Sequence, residues 1–244
     1  MSGHSKWSQV KHKKALTDAK RGQAFSKMVR EIAIAAKIGG ISPDSNTRLR
    51  SAMDRARALG LPKDNIERAL AKASGGEEGT NLQEFLYEAS APFGVAMLIE
   101  GITDNKNRTL SEIRRLLLEY GGKLAESGSL LWNFKKIGVL EIFEADNPQK
   151  TADEVALRSI EAGAEDFNQF EDAWVVEVEF LRLTETHRAL EEGGIKIKKA
   201  SHDYKSKSAI ELSVDQREKI EKLIDKLAEH DDVQKVYTNL TPNN

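Results

Sequence analysis

The sequence lacks cysteine and any long hydrophobic run, and both absences narrow what the protein can be. A chain without cysteine forms no disulfide, no thiolate metal site and no cysteine nucleophile, which fits a reducing compartment. No apolar segment approaches the roughly 20 residues that cross a bilayer. The N-terminus also lacks the hydrophobic region that follows the charges of a secretory signal peptide. We therefore expect a cytoplasmic protein with no membrane partner.

Sequence motifs of common enzymes are missing as well. No HExxH, GxxxxGK[ST], GxGxxG or GxSxG pattern occurs, so zinc-peptidase, P-loop, dinucleotide-binding and nucleophile-elbow chemistry find no support. The histidines show no metal-ligand spacing, and they are His4, His12, His187, His202 and His230. These absences predict a protein that is not an enzyme and that uses no cofactor, no metal and no small-molecule substrate.

Positive charge is concentrated at the start of the chain. The whole sequence has 37 Lys and Arg against 39 Asp and Glu, a net charge of −2. Residues 1–75 contain 16 of the former and 6 of the latter, a net of +10, which leaves 21 against 33, a net of −12, for the rest. Such asymmetry indicates a polyanionic partner for the basic part, most often nucleic acid.

Hydrophobic periodicity predicts a helical domain over residues 1–75. Apolar residues from Gln23 onward recur at i, i+3, i+4, i+7 and i+11, one face of a helix that ends at residues 39–40. Ser42, as an N-cap before Pro43, begins a second helix that ends at residue 60, and a third follows up to residue 75. Residues 74–81 are rich in Gly and Glu and predict a linker.

Strand-like alternation begins after this linker. Residues 85–99 predict a β-hairpin with its turn at 91–94. Thr109 and Glu112 have capping-box spacing and predict a helix that ends near residue 121. A strand is then predicted through residues 130–132.

The remaining residues predict an inserted domain and a C-terminal return. Residues 136–208 have the order β-α-β-β-α-β of a ferredoxin-like unit, with strands over 139–143, 166–170, 174–180 and 195–200 and helices over 152–162 and 184–192. Ser213 opens a final helix, and a strand over 233–238 follows it. This helix and strand together are too small to fold alone. We therefore expect residues 80–135 and 209–244 to form one discontinuous α+β domain around the insertion.

Several segments of this sequence resemble the YebC/PmpR family. They are Gly3-His4-Ser5-Lys6-Trp7, Asp18-Ala19-Lys20-Arg21-Gly22, Pro62 to Ala69, Thr103 to Thr109 and Val236-Tyr237-Thr238-Asn239. The resemblance covers the whole chain and implies an α+β fold of three domains in a crescent, with an N-terminal helical domain and two α+β domains, one inserted in the other. Bacterial members are described as probable transcriptional regulators that bind DNA, and a mitochondrial relative is a translational activator of cytochrome oxidase.

We select sixteen candidate nucleic-acid contacts from three places. The basic arm and first helix supply Lys6, Trp7, Lys11, His12, Lys13, Lys14, Lys20, Arg21, Lys27 and Arg30. The second helix supplies Arg48 and Arg55 on one flank of its apolar stripe and Arg50 and Arg57 on the other. The loop before the next helix supplies Lys106 and Arg108, near backbone N–H groups that favour anions.

Each group has an alternative structural interpretation. Trp7 either stacks on a base or anchors the arm on the helical domain. The arginines of the second helix either bind phosphate or lie over the core edge and pair with Asp54 and Glu67. The 104–108 loop either holds a phosphate or satisfies its own turn backbone.

The acidic residues after position 75 either form a solvated face or bind a protein such as RNA polymerase or a ribosomal protein. They include Glu177, Glu179, Glu191, Glu192, Asp231 and Asp232. The sequence thus favours a DNA-binding transcriptional regulator, with a ribosome-associated translation factor that binds ribosomal RNA as the alternative. A purely structural interaction module is weaker, because few acids neutralise the basic arm.

Overall fold

The computed structural model describes residues 18–74 and 81–241, and the predicted contacts at residues 1–17 lie outside that range. The chain divides into two compact units, the first formed by Met1–Asn133 and Ser206–Asn244 and the second by Phe134–Lys205. The helices are α1 Asp18–Gly39, α2 Thr47–Ala58, α3 Lys63–Ser74, α4 Lys106–Glu119, α5 Ala152–Glu161, α6 Leu183–Glu192 and α7 Val214–Ala228. The strands are β1 Gln83–Ala91, β2 Val95–Thr103, β3 Lys123–Leu124, β4 Phe134–Phe143, β5 Ala164–Gln169, β6 Ala173–Glu179, β7 Lys199–Ser206 and β8 Val233–Thr238.

Three helices, α1 to α3, form the basic head of the first unit. Their apolar faces meet in a core that includes Ile32, Leu49, Ala56 and Ile66, all buried. The i, i+3, i+4 pattern of α1 places Ile32 in this core, as the periodicity predicts. The helix begins at Asp18, earlier than the apolar pattern alone indicates.

The N-cap predicted at Ser42 is wrong, because Asn46 caps α2. The Asn46 side chain accepts a hydrogen bond from the Leu49 backbone N–H at 3.0 Å. It also donates to the carbonyls of Ala35 and Gly40, each at 2.8 Å. One buried amide thus satisfies backbone groups at the end of α1 and the start of α2, which a residue one turn earlier does not reach.

The sheet of the first unit has the strand order β3-β1-β2-β8. All three strand pairs are antiparallel, and β1 and β2 form the predicted hairpin. Its core includes Met97 and Ile113 together with Leu223 of α7, all fully buried. The C-terminal helix and strand therefore complete a sheet begun more than a hundred residues earlier. The head belongs to the same compact unit, so a domain boundary near residue 75 stays a prediction.

Two local expectations for this region are wrong. Asn105, rather than Thr109, caps α4, and its side chain accepts from the Arg108 backbone N–H at 3.1 Å. Residues 130–132 form no strand, because the Glu88 carboxylate accepts hydrogen bonds from the backbone N–H groups of Leu130 and Leu131. A short 3-10 turn occupies Leu131–Asn133 instead.

The second unit confirms the predicted β-α-β-β-α-β order. Its strand order is β5-β6-β4-β7, and β6 pairs antiparallel with both β4 and β5. Leu140, Trp174 and Leu190 lie in its core. The last strand begins at Lys199 and not at residue 195, where the buried Ile195 packs into the core from a loop. The two sheets and the helical head give the predicted α+β class.

In the part of the chain that the structure describes, no helix combines the length and apolar character that crossing a bilayer requires.

Candidate nucleic-acid interface

The α2 helix carries four arginines along two flanks of its buried stripe. Arg48 and Arg55 are seven residues apart and so differ by about 20° around the helix axis, and Arg50 and Arg57 do likewise. The stripe between them, which includes Leu49 and Met53, faces the core of the head. The core thus fixes the direction of all four side chains.

Three of these arginines form ion pairs that are open to solvent. Arg50 reaches Asp44 at 3.6 Å, and the Asp44 side chain is 99% exposed. Arg57 pairs with Asp54 at 2.9 Å, as one alternative predicted, and Arg48 pairs with Glu84. Exposed pairs contribute only about 0–1 kcal/mol. A phosphate can therefore replace the carboxylates at little cost.

Arg55 has a more enclosed partner. Its guanidinium pairs with Glu31 of α1, both side chains are less than a third exposed, and it also donates to the Ser51 carbonyl. Arg55 thus joins α1 to α2. The alternative pairing with Glu67 is not what the structure shows, since Glu67 pairs with Lys63.

Lys27 and Arg30 of α1 face the end of α7 rather than open solvent. Lys27 donates to the Ala228 carbonyl and Arg30 to the Asp231 carbonyl, while Gln23 donates to the Glu229 carbonyl at 2.8 Å. These carbonyls belong to the last residue of α7 and to residues just after it, where cationic donors are favourable. Burial lowers the pKa of the Lys27 ammonium to about 8, against the opposing attraction of Asp231. The two side chains therefore fasten the head to the rest of the first unit.

Asp232 is the centre of this junction, and it is 1% exposed. Its carboxylate accepts from Arg30 at 2.7 Å, from Arg108 at 3.0 Å and from the Thr109 hydroxyl at 2.5 Å. Burial alone raises the pKa of Asp232, but the hydrogen bonds from Thr109 and Arg108 and the charge of Arg30 outweigh it and hold the pKa below the ordinary value. The carboxylate is thus ionised and joins α1, α4 and the start of β8.

The loop of residues 104–108 is folded on its own polar groups. Arg108 also pairs with Asp104 at 2.7 Å, and the Asn105 backbone N–H donates to the Thr103 hydroxyl at 2.9 Å. Thr103 and Thr109 share a further hydrogen bond at 2.7 Å. Asn105 therefore satisfies turn backbone, as the structural alternative predicted, and Lys106 is exposed.

A cleft of about 530 Å³ lies beside this junction, with Arg115 and Lys226 as well as Glu229 and Asp231 in its wall. Within residues 18–74 and 81–241, one set of three possible metal ligands lies here, formed by Glu112, His230 and Asp232. His230 Nδ1 accepts from the Asp232 backbone N–H, so Nε2 carries the proton and donates to Glu112 at 3.0 Å. Asp232 is already paired with two arginines. The arrangement is a hydrogen-bond network and does not fit a cation.

Glu177 and Asp232 were predicted to lie on an acidic surface that faces solvent or a protein partner. This prediction is wrong, because both residues are buried. Glu177 is 5% exposed and pairs with Lys205 at 2.7 Å in the second unit. Asp232 serves the junction described above. Sequence reasoning gave these acids no structural partner, because their cations lie 28 and more than 120 residues away.

The structure thus separates the predicted contacts into groups. Lys6, Trp7, Lys11, His12, Lys13 and Lys14 lie outside the described residues, and for Lys20 the structure describes only its place in α1. Arg21 is exposed, with its guanidinium 6.0 Å from the centre of the Phe25 ring. Arg48, Arg50 and Arg57 are brought together on α2 with exposed partners. Lys27, Arg30, Arg55 and Arg108 make contacts within the protein.

Comparison with known proteins decides the family. The family model described as "TACO1/YebC protein N-terminal domain" matches residues 5–76, and that described as "TACO1/YebC second and third domain" matches residues 82–240. The chain belongs to the TACO1/YebC family. The resemblance to the YebC/PmpR family seen in the sequence motifs is thereby confirmed.

Relatives of this TACO1/YebC chain are similar along their whole length. A probable transcriptional regulatory protein of Thermoanaerobacter pseudethanolicus is 45% identical over 240 residues, covering 98% of this chain and 97% of the relative. One of Thermotoga maritima is 43% identical over 239 residues, covering 98% and 93%. The crystal structure of a conserved hypothetical protein from Aquifex aeolicus has a TM-score of 0.85 and 38% identity, covering 98% of each chain. Fold and family therefore agree.

Proposed function

We propose that this TACO1/YebC chain is a non-enzymatic, nucleic-acid-binding regulator of gene expression, and that it acts on DNA as a transcriptional regulator. The observation that carries the proposal is the +10 charge of residues 1–75 against −12 for the rest. The names of the relatives, probable transcriptional regulatory proteins, support regulation of transcription.

The contact surface that we propose combines the arm with the open flanks of α2. Arg48, Arg50 and Arg57 have exposed side chains whose carboxylate partners are weakly held, although Arg50 also donates to the carbonyls of Pro43 and Asp44 at 3.1 Å each. Arginine suits bidentate recognition of phosphate. Lys6, Lys11, Lys13, Lys14, Lys20 and Arg21, with Trp7 and His12, extend the same charge toward the N-terminus.

A ribosome-associated translation factor that binds ribosomal RNA is the second candidate. The α2 surface favours it as much as it favours DNA, because phosphate contacts fix position without reporting base sequence. In either case the acidic surface that remains exposed, with Glu191 and Glu192 on α6, would face a protein component such as RNA polymerase or a ribosomal protein.

Duplex-DNA binding across a salt series, beside co-sedimentation with ribosomes, tests the proposal. We expect Arg48→Gln, Arg50→Gln and Arg57→Gln together to weaken binding and to flatten the slope of log affinity against log salt by roughly three units on duplex DNA. Arg68→Gln, in α3, is the matched control. An unchanged slope would refute the α2 surface. Sedimentation with ribosomes at physiological salt with only weak DNA affinity would refute DNA as the target.

A further inference from the structure

The tryptophan at position 132 is held in an unusual way at the surface of the first unit. Its side chain is 66% exposed, whereas Trp174 of the second unit is 2% exposed. Tryptophan buries a large area when it finds a partner, so an indole left this open on a rigid element indicates a contact site.

The segment that carries Trp132 is fixed by a buried charge. Glu88 of β1 is 5% exposed, and its carboxylate accepts from the backbone N–H groups of Gly128, Leu130 and Leu131, the last two at 2.6 and 2.8 Å. Burying a carboxylate is costly unless such donors surround it. The Glu88 carboxylate thus holds the surface segment of residues 128–131 in place.

The indole itself is oriented by a second set of contacts. Its Nε1–H donates to the Ser129 carbonyl at 2.7 Å, and Lys207 donates from Nζ to the Trp132 carbonyl at 2.9 Å. The Lys207 backbone N–H donates to the Asn133 carbonyl at 2.8 Å. The indole edge is therefore held in place while Trp132 stays 66% exposed with an ammonium group beside its backbone, and holding the ring in this way reduces the entropy lost on binding.

The ammonium group of Lys207 and the polar residues 127–129 near Trp132 favour a nucleotide over a purely apolar protein surface. A protein hot spot is normally surrounded by further contacts that exclude water. Leu130 and Leu131 directly precede Trp132, and Leu131 is 36% exposed, but the residues before them are Ser127, Gly128 and Ser129, and a Cβ at Gly128 would meet nothing within 4 Å. A base needs only an open π-face, and a neighbouring cation suits its phosphate.

We propose that Trp132 is a stacking platform for an unpaired base of a single-stranded nucleic acid, with Lys207 beside the backbone phosphate. The inference rests on the proposed nucleic-acid function and extends it to a second contact, distinct from the α2 surface. Bases of an intact duplex are already stacked, so this platform discriminates unpaired from paired strands.

Affinity measurements on substitutions of Trp132 test the platform. Probes are 20-nucleotide oligo(U), oligo(dT) and a 20-base-pair duplex, which separate RNA, single-stranded DNA and duplex. We expect Trp132→Ala and Trp132→Leu to weaken single-strand binding about 5- to 150-fold. Trp132→Phe retains most of the affinity, and duplex affinity is unchanged. Leu118→Ala, at a similarly exposed apolar side chain of the same unit, is the control.

A fluorescence measurement reports the contact directly. In a Trp7→Phe background the remaining tryptophans are Trp132 and the buried Trp174, so stacking quenches the exposed one and leaves the other unchanged. Trp132→Phe in that background abolishes the quenching.

Any of four results would overturn the platform. Full affinity of Trp132→Leu, with a loss in Trp132→Ala, would show an apolar contact instead of stacking. Single-strand binding that is insensitive to Trp132, or salt-dependent binding of duplex alone, would remove the platform and leave the proposed function standing. Binding of none of the probes would overturn the function together with the platform.

Discussion

Replacing Asp232 by Asn tests the junction between the head and the sheet. The substitution keeps the shape of the side chain and removes a charge that two arginines and Thr109 surround. Breaking a fully buried ion pair costs about 3–5 kcal/mol. The side chains of Arg30 and Arg108 are 25% and 43% exposed, so water can partly compensate them. We therefore expect a loss of about 2–3 kcal/mol in the free energy of opening this junction.

The loss should depend on pH in a defined direction. Because the pKa of Asp232 lies below its ordinary value of 3.8 in the folded protein, its contribution is present above that value and is lost as the pH falls through the folded pKa. The stability difference between the Asp232→Asn variant and the unsubstituted protein should therefore narrow below about pH 4.

Hydrogen exchange read by mass spectrometry is the suitable assay, because it separates the two units. We expect faster exchange in peptides from α1 and from the α7–β8 region, with the second unit unchanged. Asp225→Asn, an exposed position on α7, is the matched control and should change stability by less than about 0.5 kcal/mol. Equal protection in the two variants would refute the reasoning.

Three further predictions concern single positions. As the pH rises from about 8 to 10.5, Lys27 loses its proton in the folded protein before it does in the unfolded chain, so the free energy of unfolding rises over that window. In urea titrations, Lys27→Met should reduce this rise by at most about 3 kcal/mol. The same dependence of stability on pH in the variant and the unsubstituted protein would contradict this. Gly101→Ala should destabilise the first unit by about 1–3 kcal/mol, because a Cβ there would lie 2.1 Å from the Asp232 carbonyl oxygen. The control is Gly22→Ala, which has open space around it in α1 and should stabilise that helix. Comparable melting temperatures of the two variants would refute the steric contact at Gly101. Glu88→Gln should cost about 1–3 kcal/mol and speed exchange at residues 128–131, whereas unchanged exchange there would show that the carboxylate does not hold the segment.

Local sequence signals were sufficient where an element's own residues decide its structure. The strand Val233–Thr238 and the helix that Ser213 opens were predicted from alternation and N-cap chemistry, and both are present. The apolar stripe of α2 likewise placed its arginines on two flanks. These features depend on neighbours within a few residues, which the sequence displays directly.

Signals failed where the partner is distant. Residues 130–132 are three consecutive apolar residues and were predicted as a strand, yet the backbone N–H groups of Leu130 and Leu131 bond to Glu88, more than forty residues earlier. Lys27 and Arg30 look like part of a continuous basic surface, but carbonyls and a carboxylate about 200 residues later engage them. No spacing rule connects such residues, and only the folded chain shows which cations remain available to phosphate.

The position of β8 has a consequence for synthesis. Until residues 232–238 leave the ribosome, β2 has an unpaired edge and Arg30 lacks the carboxylate of Asp232, although the head and the second unit already have their residues. An exposed strand edge is a template for pairing with other chains. The first unit therefore completes its sheet only after residues 233–238 have been synthesised, and a variant that lacks this strand should yield an aggregating product instead of a functional one.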